Sequence, residues 1–228
     1  MNFHQRFTRV ALFEGLTDSQ RAQLEQMGSE VPFNRGEELF RQADSADALY
    51  VILRGRVKML RSTASGETSL LEILTTGDDL DLAAIVDGKG HTVTAKVLYD
   101  GTAFRLPTPA FRRLLCEWPV LAANLLRLLA TRQRALLESV TALGTMSVDE
   151  RMCRALAGLA HRFGILGDCR GVILDLGLTR QDLADLTGST LETAIRALNR
   201  LKDQGLVTWE GRRFFLPDLR SLESQVAA

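Results

Sequence analysis

At Pro107 the texture of the chain changes, and that change limits the folds open to it more than any other feature. From Val31 to Leu106, short segments rich in Val, Leu, Ile and Phe are punctuated by single glycines at Gly36, Gly55, Gly66, Gly77, Gly88, Gly90 and Gly101. Apolar runs broken by turn residues about every ten positions predict an all-β barrel or roll, not a parallel α/β sheet. One such stretch, Leu49-Tyr50-Val51-Ile52-Leu53, Arg54-Gly55, then Val57-Lys58-Met59-Leu60, reads as two short strands about a turn. Ahead of the roll, Thr17-Asp18-Ser19-Gln20 has the form of a capping box opening a helix through Met27. After Pro107 the pattern is helical: a short helix from Thr108 to Cys116, a first-turn proline at Pro119, then no Gly or Pro from Val120 to Leu143. The expected class is α+β, divided into a β-roll with its N-terminal helix over residues 1–118, a long helix and hinge over 119–146, and a further domain over 147–228.

Within the long helix Leu126, Leu129, Gln133, Leu136, Val140 and Leu143 fall at spacings of 3, 4, 3, 4 and 3. That is the seam of a two-helix contact and predicts a parallel homodimer; burial of the same stripe in the core of one chain is the alternative. A second stripe, Leu121, Leu125 and Leu128, is placed to face the roll. Gly144-Thr145-Met146-Ser147 interrupts the helix, and Ser147-x-x-Glu150 starts another whose inward residues are Met152, Ala155, Leu156 and Leu159. A β-rich link, Val172 to Leu176, follows.

The most informative segment begins at Thr179, a helix N-cap followed by Leu183, Ala184 and Leu186, then Gly188. Ser189 or Thr190 caps a second helix with Ala194, Leu198 and Leu201 turned inward. A small residue at 184 and a glycine four positions later suit two helices crossing steeply, the requirement of a helix-turn-helix. The outward positions of the second helix carry Thr190, Leu191, Glu192, Ile195, Arg196, Asn199, Arg200 and Lys202. Arg196 can donate two hydrogen bonds to guanine, Glu192 can accept one from cytosine N4, and Ile195 can touch a thymine methyl. Four-residue spacing puts Glu192 and Arg196 on one face. The competing assignment is a solvated Glu192–Arg196 salt bridge, with Glu192 closing a capping box on Ser189. Gly205 to Trp209, the turn Glu210-Gly211-Arg212, and Arg213 to Leu216 add a two-stranded wing. Arg180, Thr190, Arg200, Lys202, Arg212 and Arg213 are the candidate phosphate contacts, which position a reader without specifying sequence.

Composition narrows the rest. Lys+Arg and Asp+Glu number 28 each, so any affinity for nucleic acid must come from local clusters. No apolar stretch reaches the ~20 residues of a membrane span and the opening MNFHQRFTRV lacks a signal-type apolar region, so a cytoplasmic protein without membrane contact is expected. Cys116, Cys153 and Cys169 are scattered, with no metal-ligand spacing; free structural thiols and no metal are expected. An enzyme has no support: G-x-S-x-G, a phosphate-cradling Gly-Lys loop, a paired catalytic carboxylate motif and clustered histidines are all missing.

The order of N-terminal helix, glycine-punctuated roll, long helix and winged helix-turn-helix, from Leu12-Phe13 to about Asp218, resembles the cyclic-AMP receptor protein and fumarate-nitrate reduction regulator superfamily of bacterial transcription factors. The most specific match is Gly188-Ser189-Thr190-Leu191-Glu192-Thr193-Ala194-Ile195-Arg196, similar to that family's recognition-helix core. The resemblance implies a cyclic-nucleotide-binding-like jelly roll and a homodimeric, sequence-specific DNA-binding regulator on a palindromic site. It implies base contacts from Glu192 and Arg196, with Leu191 where some members carry a further base-reading Arg. Cyclic-nucleotide binders of the family carry a Gly-Glu pair and an Arg-Ser pair after a Gly-Asp turn; here Gly77-Asp78 is followed by Asp81-Leu82 and His91-Thr92, and Leu136-Leu137 replaces polar side chains of the long helix. A phosphate would meet Asp81 and lack its arginine, so cyclic AMP is not the expected effector. The iron–sulfur branch needs an N-terminal cysteine cluster, and no cysteine precedes Cys116. Haem, with His91 as ligand, stays open beside an apolar molecule in the pocket of Asp81, Leu82, His91, Thr92, Leu136 and Leu137, or no ligand at all; a lone His in a turn is more commonly a surface residue. The expected polarity is activation, with RNA polymerase as partner. The rival function is a ligand- or haem-sensing module acting through protein partners.

Overall fold

The computed structural model describes Phe7, residues 10–167 and residues 171–226, so the expectation for Cys169 lies outside the described residues. The chain divides into two compact units, Met1–Ala135 and Leu136–Ala228. The division falls inside the long helix.

In the first unit a 3-10 turn (Ala11–Phe13) precedes helix α1 (Asp18–Met27). Thr17 caps α1 in the expected box with Gln20. The roll is a six-stranded antiparallel sheet made of β1 (Ser29–Phe33), β2 (Glu38–Phe40), β3 (Ala48–Ser62), β4 (Thr68–Thr75), β5 (Asp79–Leu80) and β6 (Thr94–Pro107). Its order is β1-β6-β3-β4, with β2 on β6 and β5 on β3. The two strands expected about Arg54-Gly55 are one strand, β3, and that expectation is corrected. Its pairing with β6 slips at Ile52/Arg54, Arg54/Arg56 and Arg56/Val57, so the chain bends through bulges instead of reversing. Two glycines make the bend passable. Gly55 has φ +107°, and a Cβ on Gly101 would lie 1.9 Å from the Arg54 carbonyl oxygen.

Alternation along β3 and β6 splits the apolar side chains between two clusters. Phe33, Phe40, Ile52, Val57, Leu74, Leu80 and Val97 fill the inside of the roll. Leu49, Leu53, Phe104 and Leu106 meet Phe13, Leu24 and helices α2 (Leu82–Asp87), α3 (Thr108–Glu117) and α4 (Pro119–Thr145) on the other side. Leu121 and Leu125 of α4 are buried in this second cluster and Leu128 packs on it, as the inner stripe requires. Asn124, also buried, donates from Nδ2 to the carbonyls of Leu12 (3.1 Å) and Glu14 (2.7 Å), which pins the N-terminal arm to α4.

The second unit holds the end of α4, then α5 (Val148–Phe163), capped by Ser147 in the expected box with Glu150. Helices α6 (Arg180–Leu186), α7 (Leu191–Asp203) and α8 (Leu219–Ser224) accompany a four-stranded antiparallel sheet, β7 (Ile165–Leu166), β8 (Val172–Asp175), β10 (Arg213–Leu216) and β9 (Thr208–Glu210), in that spatial order. The hairpin of β9 and β10 is the wing. Free thiols are found at Cys116, exposed, and Cys153, buried; burial raises the Cys153 thiol to about 11, which leaves it inert.

Candidate nucleic-acid interface

The corner between α6 and α7 is built from short-range bonds. Thr179 accepts from the Asp182 amide at 3.1 Å while the Asp182 carboxylate accepts from the Thr179 amide at 2.7 Å, so α6 starts with both orphan donors satisfied. At its other end the Thr187 hydroxyl donates to the Leu183 carbonyl (2.8 Å), and the Ser189 amide donates to Ala184 (3.0 Å). Gly188 takes φ +57°, and a Cβ there would lie 2.5 Å from Leu143 Cδ2. The glycine corner therefore serves both the turn and the seat of a seam leucine.

Thr190 caps α7, accepting from the Thr193 amide at 3.3 Å. The Ser189–Glu192 capping box does not form; Ser189 bonds Thr187 instead, at 2.9 Å. Ala194, Ala197, Leu198 and Leu201 turn inward, which leaves Leu191, Glu192, Ile195 and Arg196 outward. Glu192 and Arg196 form the i,i+4 ion pair, with side chains 75% and 65% exposed. At that exposure the pair contributes little to stability, at most about 1 kcal/mol, and either group is free to exchange partners.

The surrounding cations are held more firmly than their sequence positions suggest. Arg200 donates through Nε to Asp149 at 2.6 Å and through Nη2 to the other oxygen at 2.5 Å, and that bond raises the guanidinium above its usual value. Arg213 donates to Asp175 at 2.7 Å. The Arg180 guanidinium lies 4.8 Å from the Trp209 ring centre and 4.9 Å from that of Phe214, with Lys202 Nζ 5.1 Å over the same indole. Partial burial of Arg180 lowers its pKa. Arg212 is exposed at the wing tip. Thr190 spends its hydroxyl on the cap and on Thr193 (2.9 Å).

In the roll, the structure brings Asp81, His91 and Thr92 together. Asp81 Oδ2 accepts from the Thr92 amide (2.9 Å) and lies 3.0 Å from His91 Nδ1, while Oδ1 accepts from the Thr92 hydroxyl at 3.1 Å. The expectation of a surface histidine is corrected: the His91 side chain is 2% exposed, stacked on Phe40 with ring centres 3.6 Å apart. Aromatic stacking and a buried acceptor together offset its desolvation. Leu82 lies wholly buried in the cluster with Leu49 and Phe104, because α2 turns its first residue into the core. Leu136 and Leu137 are exposed on α4. Burial acts to raise the Asp81 carboxyl, but the bonds from His91 and Thr92 outweigh it and hold it below its usual value.

Residues 30–117 match the cyclic nucleotide-binding domain and residues 150–225 the Crp-like helix-turn-helix domain. The CRP-like cAMP-activated global transcriptional regulator of Mycobacterium tuberculosis is 30% identical over 215 residues, 94% of this chain and 95% of that protein. The chain belongs to the Crp/Fnr family of DNA-binding transcription regulators. Another relative in this family, the transcriptional activator protein Anr of Pseudomonas protegens, is 26% identical over 82% of this chain and 76% of its own length. The structure of FixK2 from Bradyrhizobium japonicum shares the fold at a TM-score of 0.76 and 23% identity, covering 88% of this chain and 98% of that one. Crp/Fnr relatives are transcription regulators, not enzymes. Among the described residues no single helix is long and apolar enough to cross a membrane.

Three residues of this Crp/Fnr chain escaped sequence reasoning. Arg151 donates to the Thr187 carbonyl (2.7 Å) and the Met146 carbonyl (2.6 Å), bracing the helix-turn-helix corner against the end of α4. Asp149 holds Arg200. Arg132 on α4 reaches the buried Asp79, Nη2 to Oδ2, at 2.9 Å. Each bridges residues far apart in sequence or in helical phase, and periodicity carries no signal for that. The Ser147-x-x-Glu150 box did at least place Asp149 and Arg151 on the first turn of α5.

Proposed function

We propose that the chain acts as a homodimer, each protomer placing α7 in a major groove of a palindromic operator, with Arg196 donating to guanine and Glu192 accepting from cytosine. The observation that carries this is the outward face of α7: both polar readers exposed, flanked by Leu191 and Ile195, on a helix whose opposite face is buried. Ile195 and Leu191 supply apolar contacts to thymine methyls. Arg180, Thr190, Arg200, Lys202, Arg212 and Arg213 contact phosphates, the paired ones by exchanging a carboxylate for a phosphate oxygen.

Exposure of Leu126, Leu136, Val140 and Leu143 on α4 supports self-association, since a stripe of large apolar residues left in water favours a partner. Gln133 lies in the same stripe and is exposed; Leu129 packs partly on the roll core. Two-fold symmetry then sets half-sites about 34 Å apart. The name of Anr supports an activating role, which needs RNA polymerase as partner, and a regulator of this kind works in the cytoplasm.

The roll works without cyclic AMP, although the Mycobacterium relative is named for it. A buried carboxylate faces the positions where the resemblance would put phosphate contacts, and a cyclic phosphate would be repelled by it. Haem is also disfavoured: the His91 side chain is 2% exposed and its ring is stacked on Phe40, which leaves its nitrogens shut off from a group of that size. Selection of bound DNA from a random pool by purified protein, without and with cyclic AMP, tests these statements. The expected product is a palindrome recovered equally in both arms, by protein that light scattering shows to be dimeric. Recovery only with the nucleotide overturns the ligand-free part; no enrichment overturns the DNA-reading part.

A further inference from the structure

In the roll, three donors converge on one spot from a single turn: the Thr92 amide, the Thr92 hydroxyl and the imidazole Nδ1 of His91. Donors arranged in this way around two oxygen positions make a site for a small anion. The anion present is the chain's own Asp81 carboxylate, 5% exposed. The backbone is bent to allow it. Ala43 (φ 72°) and Asp81 (φ 47°) are the non-glycine residues with left-handed backbone among the described residues, and both bond this turn. Ala43 donates its amide to the His91 carbonyl at 2.8 Å, the His91 amide donates to Asp44 at 2.8 Å, and Gly90 lies so close that a Cβ there would sit 2.8 Å from the Ala43 carbonyl oxygen. Strained residues that converge on one small cluster mark a constructed site, since each costs energy that the local bonds must offset.

We propose that the roll contains a binding site for a carboxylate-sized anion, and that Asp81 is its permanent internal occupant. The donors of Thr92 and His91 are saturated by the chain itself, and Phe40 closes the ring face. No external anion gains entry while Asp81 is in place. The proposal deepens the ligand-free function given above and rests on it: a regulator that carries its effector's charge as a side chain has no need of the effector.

Acetate is the side chain of aspartate with one added hydrogen, which gives a direct test. Asp81→Gly removes the carboxylate and relieves the left-handed backbone at the same time, because glycine adopts that conformation freely. The whole chain carrying D81G is melted in increasing sodium acetate, with sodium chloride at matched ionic strength as control. The expected result is a rise specific to acetate that grows with the logarithm of its concentration and reaches roughly 4–8 °C at tens of times its Kd. The unsubstituted chain should not respond, and D81G/T92V, lacking one donor, should need more acetate for the same rise. No specific rise in D81G, or an equal rise in the unsubstituted chain, overturns the proposal. Should D81G fold only in acetate, the proposal stands; should it fold in neither salt, Asp81→Ser is read by the same two outcomes. Calorimetric titration of the unsubstituted chain with cyclic AMP is run alongside. Binding there defeats the ligand-free function while leaving the acetate result to be judged by itself.

Discussion

Asp81 in the roll and Glu192 on α7 are both carboxylates bonded to a neighbouring basic side chain, His91 in one case and Arg196 in the other. They differ in what surrounds them. Asp81 is almost wholly out of water and has three protein donors, whereas Glu192 is 75% exposed and its partner is one flexible arginine. In low dielectric a lost partner leaves an uncompensated buried group; in water the same loss is made good by solvent. The first pair is therefore a fixed part of the fold and the second is available to a ligand. Surface arginines follow the same division, since Arg200 and Arg213 are tied to Asp149 and Asp175 while Arg212 stands exposed at the wing tip.

The sharpest way to break this comparison is to neutralise each carboxylate. Asp81→Asn keeps the shape but turns an amide donor toward existing donors, and should cost about 2–3 kcal/mol in urea unfolding. Glu192→Gln should change stability by no more than about 0.5 kcal/mol. Equal losses would mean that burial does not separate the two pairs.

The order reverses when DNA binding is measured. Arg196→Ala should weaken binding to the selected operator by about 1–3 kcal/mol while barely affecting random DNA, and Glu192→Gln should relax the preference at the base pair it reads. Fluorescence anisotropy on both DNAs checks this. A uniform loss on both would reassign Arg196 to phosphate contact.

Acid sharpens the comparison further. Asp81 is held below its usual value by His91 and Thr92 against the opposing effect of burial, so its contribution is complete above the unfolded carboxylate pKa of about 3.9 and disappears as pH falls through the folded value. The stability gap between the unsubstituted chain and D81N should stay constant from neutral pH to about pH 4.5, then close below about 4. Asp79 runs the other way. Burial raises its carboxyl despite Arg132, so its protonation favours the fold; being common to both proteins, it cancels from the gap. A gap that closed already at pH 6 would place the titration elsewhere.

Much of this was legible in the sequence where the signal is local. Thr17, Ser147 and Thr179 with their partners three residues on gave true helix starts, because a capping box needs nothing beyond its own turn. The inner and outer stripes of α4 separated as the period of 3.6 dictates: Leu121 and Leu125 are buried, while Leu126 and Leu136 are exposed. What failed was non-local. Arg54-Gly55 has the composition of a hairpin turn, yet pairing with the length of β6 kept β3 in one piece and spent the glycine on a bulge. His91 looked like a surface residue because nothing in its neighbourhood of the chain announces Phe40 or Asp81, which lie on other elements. On the outward face of α7, Glu192 and Arg196 lie side by side as helical phase requires, whereas the restraint on Arg200 by Asp149, 51 residues away, had no local trace.

The smallest effect separates cations that share the wing. Replacing Arg212 by Ala should lower the slope of log affinity against log salt by about 0.9, the loss of one phosphate contact, with little change in operator preference. Arg213→Ala should lower it less, because Arg213 must first leave Asp175, whose carboxylate it reaches at 2.7 Å, before it can approach a phosphate. The decisive variant is Asp175→Asn. With that carboxylate neutralised, Arg213 is held less strongly by its own domain, so affinity and salt slope should both increase, and a further R213A substitution should remove that gain. An unchanged slope in D175N would mean that Arg213 is bound to its own domain in the complex as it is in the free chain, leaving Arg212 as the wing's phosphate contact at that tip.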